Sequence, residues 1–239
     1  MDLTLAQAAI AVAAVTIGSV VQGSIGFGSA VLAAPIVLLV DPRFVPGPMI
    51  CAGLVLTLLI AMRERASVDV RGVGWALAGR LPGTGVAVVL MRWLPATALG
   101  NLCAASMLLA VALASSGMRL TPRRSTLFGA GIASGVLGTV ASVGGPPIAL
   151  VYQHAPGPTL RGTMAGYFIF SSLISLVGLF LGGLFGMREL HAALVLMPGV
   201  LFGFVISRWT HTALDRGGIR PAILVLSAIA AGGVLVKQC

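Results

Sequence analysis

Acid is nearly absent from this chain. Only six of its 239 residues are Asp or Glu, and charged residues of both signs amount to 9%, where a soluble globular domain carries about a quarter. None of the six (Asp2, Asp41, Glu64, Asp69, Glu189, Asp215) falls in the middle of an apolar run. Proton-coupled carriers commonly use a membrane-embedded carboxylate, and a cation site would want one too. The shortage therefore favours an anion or a neutral solute, with Asp41 the carboxylate closest to a broken segment.

Cysteine is scarce as well. Cys51, Cys103 and Cys239 stand far apart in apolar surroundings, without a CxxC, a His/Cys cluster or an HExxH. A disulfide framework and a zinc site are not supported, and no cofactor is expected. The chain has no P-loop, so it does not hydrolyse ATP by itself. No nucleophile–base pair can be assembled, and an enzyme is not expected.

What fills the chain is apolar: 58% of the residues are hydrophobic, in runs of spanning length from end to end. The net charge of +9 comes almost wholly from arginines in short connections. That is the positive-inside pattern of a polytopic protein, not a nucleic-acid face, so the partners implied are the lipid bilayer and a small solute; self-association is left open. Met1-Asp2-Leu3 lacks the basic flank of a signal peptide, and this stretch is expected to belong to the first membrane segment.

The apolar run Leu3 to Val40 is too long for one crossing of about 20 residues and too short for two with a loop. Its glycines and Pro35 predict a helix followed by a half-length or re-entrant one. Segments are expected at Val45–Met62, Val73–Met91 and Ala96–Gly117, then at Leu127–Tyr152, Thr163–Gly186, Leu190–Ser207 and Pro221–Val236. The arginine-bearing connection Met118–Ser125 separates the halves.

The halves repeat. A shift of 112 positions puts Gly23 on Gly135, Gly26 on Gly138, Pro35 on Pro147, Ile36 on Ile148 and Pro46 on Pro158. A shift of 116 pairs Pro82-Gly83 with Pro198-Gly199 and Arg92-Trp93 with Arg208-Trp209. Two matching blocks predict an internal duplication, 1–118 and 119–239. The Arg-Trp pairs read as interface anchors.

Charge tests the orientation of these halves. If each broken segment crosses once, the basic residues divide almost evenly. If each enters and returns, Arg63, Arg65, Arg71, Arg119, Arg123, Arg124, Arg161, Arg208, Arg216 and Arg220 share one side, against Arg43, Arg92, Arg188 and Lys237. The second partition is the better positive-inside pattern. The expected fold is an all-α polytopic membrane protein of two homologous halves with about four membrane segments each. The halves would be inverted-topology repeats with broken or re-entrant first segments and both termini outside.

Paired Gly/Pro interruptions in two halves of a membrane chain point to a transporter's binding site. A broken helix exposes backbone N–H groups that favour an anion, and glycine lets a ligand approach them. The candidate substrate-binding residues are Gln22, Gly23, Ser24, Gly26, Gly28, Ser29 and Pro35 in the first copy. In the second they are Gly135, Gly138, Ser142, Gly144, Gly145, Pro146 and Pro147, with Thr139 nearby. Close helix packing through small residues is the competing reading. Arg80, inside an apolar segment, either attracts an anion along the pathway or snorkels to the interface. His154, His191 and His211, near segment ends, read as surface residues.

The stretch Gly23-Ser24-Ile25-Gly26-Phe27-Gly28 leading to Ala33-Ala34-Pro35, together with Gly135-x-x-Gly138 and Gly144-Gly145-Pro146-Pro147, resembles the TauE/SafE sulfite-exporter family. Leu81-Pro82-Gly83 and Met197-Pro198-Gly199 fit the family's later helices, so the resemblance covers essentially the whole chain. The first copy departs from the pattern where Ser29-Ala30 follows Gly28 in place of further glycine. The resemblance implies a multi-pass secondary transporter of the bacterial inner membrane, exporting small sulfur-containing anions such as sulfite, sulfonates or sulfoacetate. A passive small-solute channel and a non-transporting membrane subunit remain the rival readings.

Overall fold

Thr4 opens the first helix with a reciprocal cap: its side chain accepts from the Gln7 amide, and the Gln7 side chain accepts from Thr4 N. This capping box satisfies two of the donors left unpaired at a helix start. Helix α1 then runs Leu5–Ile25 and stops where Gly26 turns left-handed, with φ of +98°. Gly28, with φ of +108°, immediately starts α2, Ser29–Val40. Two positive-φ residues in three reverse the chain, a geometry glycine adopts without strain.

The computed structural model describes residues 3–63, 68–116 and 120–214. The expected segment Pro221–Val236, Cys239, the acids Asp2, Glu64 and Asp215, and the bases Arg65, Arg119, Arg216, Arg220 and Lys237 lie outside the described residues.

A 3₁₀ turn at Pro42–Phe44 follows α2, pinned by Asp41, whose carboxylate accepts from Arg43 N and pairs with the Arg43 guanidinium at 2.6 Å. Then come α3 (Gly47–Arg63), α4 (Val70–Trp93), α5 (Ala96–Ser115), α6 (Arg124–Ala141), α7 (Gly145–Tyr152), α8 (Gly157–Leu181) and α9 (Met187–Leu214). Among the described residues the secondary structure is helical throughout, and α1, α4, α5, α8 and α9 contain stretches long and apolar enough to span a bilayer. The chain is an all-α polytopic membrane protein. The other sequence-expected segments fall on these helices, with α8 starting six residues before Thr163 and α9 running beyond Ser207.

Glycine sets the closest packing. A Cβ at Gly79 or Gly83 of α4 would collide with the carbonyls of Phe128 and Ile132 of α6, and one at Gly131 or Gly135 with those of Ala76 and Arg80 in return. Gly199 and Gly203 of α9 press in the same way on Val12–Thr16 and Thr16–Val20 of α1. Each pair is a Gly-x-x-x-Gly, the spacing that brings two helix backbones together where lipid gives no hydrophobic drive.

These contacts also fix directions. Numbers rise together along α1 and α9 and along α4 and α6, and Gly178 of α8 and Gly182 at its C-cap meet Thr84 and Val88 of α4 in the same sense. Helix α8 therefore runs with α4 and α6, while α1 runs with α9, opposite to them. Helix α2 folds back on α1, with Gly18 against Ser29 and Ala33. Likewise α7 folds back on α6, where Ser134 Oγ donates to Gly144 O at 2.5 Å. Both broken segments are helical hairpins in which the chain reverses. Arg63, Arg71, Arg123, Arg124, Arg161 and Arg208 consequently gather toward one end of the bundle, and Arg43, Arg92 and Arg188 toward the other.

Candidate functional site

The two reversals meet. A Cβ on Gly145 would lie 3.5 Å from the Phe27 Cβ, so the start of α7 abuts the turn between α1 and α2. Beside this junction is a cavity of about 60 Å³. Break residues from both hairpins line it, Gly28 and Ser29 on one side, and Ser142, Gly144 and Gly145 on the other. Gln22, Arg80 and Gly138 also line it, with Gly53 and Thr57 of α3 and Phe168, Ser171 and Ser172 of α8.

Arg80 does not snorkel. It is 3% exposed, halfway along α4, and its guanidinium is held by groups from α6 and α8. Nε donates to Ser171 O at 3.1 Å; Nη1 donates to Ser134 O and Oγ at 2.8 Å each and to Tyr167 OH at 3.3 Å; Nη2 donates to Ser175 Oγ at 2.8 Å. The Tyr167 ring lies 5.8 Å from the guanidinium carbon. Every one of these partners is neutral. The hydroxyls are themselves oriented: Tyr167 OH donates to Ser134 Oγ, and Ser175 Oγ shares a hydrogen bond with Thr139, which donates on to Thr84. Nη2 carries two N–H bonds, donates to one acceptor among the described residues, Ser175 Oγ, and is the guanidinium nitrogen nearest Gly138 of the cavity wall.

Two glycines make room for this cation. A Cβ at Gly138 would stand 2.8 Å from Nη2, and one at Gly144 would stand 3.0 Å from Nη1. Gly138 thus leaves room for Arg80, while a Cβ on Gly144 would also meet Ser134 O and Oγ at 2.9 Å; shift-matching of the motif contains neither signal.

On the opposite wall, α2 begins with no side-chain cap. Its first intrahelical bond runs from Leu32 N to Gly28 O, so the amides of Ser29, Ala30 and Val31 have no acceptor inside the helix. All three residues line the cavity. The start of α7 is poorer in donors, because Pro146 and Pro147 in its first turn have no N–H. Gln22, 7% exposed, donates to Thr57 Oγ1 at 3.3 Å, and Thr57 donates to Gly53 O at 2.7 Å.

Of the sequence-predicted residues, Gln22, Gly28, Ser29, Arg80, Gly138, Ser142, Gly144 and Gly145 come together around the cavity. The others stand elsewhere. Gly23 packs on Ser207 of α9, Gly135 on Arg80 and Gly83 of α4, and Ser24 bonds Thr210. Gly26 turns the chain beside Arg161. Pro35 is seven residues into α2 and does not break it, while Pro146 and Pro147 sit in the first turn of α7. The textual pairing of Gly26 with Gly138 also fails as geometry. Gly138 is inside α6, and the left-handed cap matching Gly26 is Ser142, with φ of +64°.

Sequence reasoning missed Thr57, Gly53, Tyr167, Ser134, Ser171 and Ser175. One signal was available. Tyr167, Ser171 and Ser175 recur every four residues, one face of a helix, and a buried arginine requires such a row of acceptors.

Comparison with curated proteins and with solved structures gives no match. The family model described as "Sulfite exporter TauE/SafE" matches residues 10–234. With nearly the whole length matched, on a helical membrane scaffold, the chain belongs to the sulfite exporter TauE/SafE family.

Proposed function

We propose that this transporter carries a small sulfur-containing oxyanion of the sulfite class out of a bacterial cell across the inner membrane. It works by alternating access between two inverted halves, 1–118 and 119–239. The observation that carries the reading is the cavity where both helix breaks meet a buried arginine whose partners among the described residues are all neutral. An anion there gains the Arg80 guanidinium and the positive end of α2.

Size supports the sulfite end of the class. A single water needs about 10–15 Å³ of such space, so a cavity of about 60 Å³ has room for on the order of four non-hydrogen atoms. The four non-hydrogen atoms of sulfite fit this. The swap of partners, α1 on α9 and α6 on α4, together with their opposite directions, supports inverted halves. The arginine-rich end of the bundle then faces the cytoplasm.

Purified protein in liposomes loaded with unlabelled sulfite is the test. Saturable uptake of labelled sulfite that overshoots equilibrium by counterflow is the expected result. Flux without counterflow would establish a channel instead, and no flux of any oxyanion would point to a non-transporting subunit.

A further inference from the structure

Helices α4 and α8 touch at their glycines and part above them. A Cβ on Gly178 would stand 3.0 Å from Thr84 Cγ2, and one on Gly182 would stand 2.7 Å from Val88, so the two helices run close along this line. On Gly85, one residue beyond Thr84, a Cβ would meet nothing within 4 Å. The result is a groove of about 960 Å³ on the side of the bundle, distinct from the anion cavity. Its walls are apolar and open to the bilayer: Leu81 and Val89 of α4 and Val177 and Leu181 of α8 are each more than half exposed.

One end of the groove is different. It runs along α4 from Leu81, halfway down the helix, to Arg92 and Trp93 in the last turn. Arg92 lies eleven residues beyond Leu81, about 16 Å at the helical rise, and about half of a hydrocarbon core 30 Å thick. The groove thus has the depth of one leaflet, from the middle of the bilayer to its surface. Trp93, 82% exposed, stands at the level where indole rings meet headgroups. Among the described residues Arg92 has no ion pair.

The repeat supplies a comparison. The shift of 116 that puts Arg92 on Arg208 also puts Val88 on Phe204. Arg208 stacks on Phe204, its guanidinium carbon 5.3 Å from the ring centre. Val88 offers Arg92 no ring and lies against Gly182 at the groove floor. The anchoring arginine rests on its own helix in one half and stands at the mouth of a groove in the other.

We propose that this groove binds one anionic phospholipid from the leaflet at the Arg92 end, with an acyl chain between α4 and α8 and the phosphate on the Arg92 guanidinium. The acyl chain matches the groove in depth and polarity, so the chain alone does not select among phospholipids. The guanidinium fork takes the phosphate in bidentate geometry. Selection comes from the rest of the headgroup: choline brings a cation of its own beside the phosphate, and glycerol does not. One arginine near the membrane surface favours an anionic lipid by about fivefold. The site does not depend on what the cavity carries.

Native mass spectrometry of the full-length protein in detergent, titrated with phosphatidylglycerol and phosphatidylcholine of the same acyl chains, tests this. The wild-type protein is expected to bind a first phosphatidylglycerol about fivefold more tightly than phosphatidylcholine. Arg92→Gln is expected to make the two lipids equal. Arg208→Gln, which removes the same charge from the repeat-related helix, should keep the preference. Gly85→Phe projects into open space and is expected to lose the first lipid, with its melting temperature in lipid-free detergent unchanged. Equal binding of both lipids by the wild-type protein, or a preference that survives Arg92→Gln, overturns the proposal. So does a Gly85→Phe protein that still holds the lipid. Gly85→Phe that melts lower without lipid, or that breaks up a wild-type dimer, shows the groove filled by protein and overturns it likewise.

Discussion

Gly138 lies against the Arg80 guanidinium: a Cβ there would lie 2.8 Å from Nη2 and 3.1 Å from the Gly144 Cα. The glycine and the arginine come from different helices and separate regions of sequence. Gly138→Leu is expected to abolish transport by driving Arg80 off its acceptors, while the protein still inserts. Normal sulfite flux from correctly inserted Gly138→Leu would contradict this.

Arg80→Lys keeps the charge but replaces a five-donor fork by a point charge with three donors. The lysine cannot reach Ser171, Ser134, Tyr167 and Ser175 at once. Loss of one charge-assisted hydrogen bond to the anion is worth about 1.5–3 kcal/mol, or about ten- to a hundredfold in affinity. A KM raised by that factor, with the amount of inserted protein unchanged, is the expected outcome of transport kinetics.

Gln22 reaches the cavity only as Thr57 orients it. Thr57→Val removes the hydroxyl that both accepts from Gln22 and donates to Gly53 O. The loss of about 1 kcal/mol corresponds to roughly a fivefold weaker KM. Thr57→Ser should restore it.

Neighbouring glycines differ sharply in what they tolerate. Gly83 faces the Ile132 carbonyl across the α4–α6 contact, whereas a Cβ on Gly85 meets nothing within 4 Å. Gly83→Ala is expected to lower the melting temperature in detergent. Gly85→Ala should leave it unchanged or raise it slightly, because alanine is favoured over glycine by about 0.5–1 kcal/mol within a helix. Gly53 combines open space with a place on the cavity wall. Gly53→Leu should therefore fold normally and transport poorly.

The helices were legible because lipid demands long apolar runs, and the reversal of the chain at each break because arginine counts partition well only if the broken segments return. The register of the site was not. Matching Gly23 and Gly26 to Gly135 and Gly138 follows the letters. In the structure the caps are Gly26 and Ser142, and the N-terminal starts are Gly28 and Gly144, spacings that agree with the Pro-Gly and Arg-Trp block instead. Glycine in a membrane helix does two jobs, helix contact and ligand or side-chain access, and a single sequence does not separate them. Gly23 and Gly135 proved to be contacts, Gly138 lies against an arginine, and Gly144 against that arginine and Ser134. The acceptors of Arg80 were hidden because a serine in an apolar helix is unremarkable until its partner is known.

The central claim is that the junction of the two breaks with Arg80 is where an oxyanion binds during transport. Counterflow of labelled sulfite in proteoliposomes, comparing the wild-type protein with Arg80→Gln at matched insertion, tests it most directly. The account predicts a saturable overshoot for the wild-type protein and none for Arg80→Gln. Equal overshoot from both would contradict it.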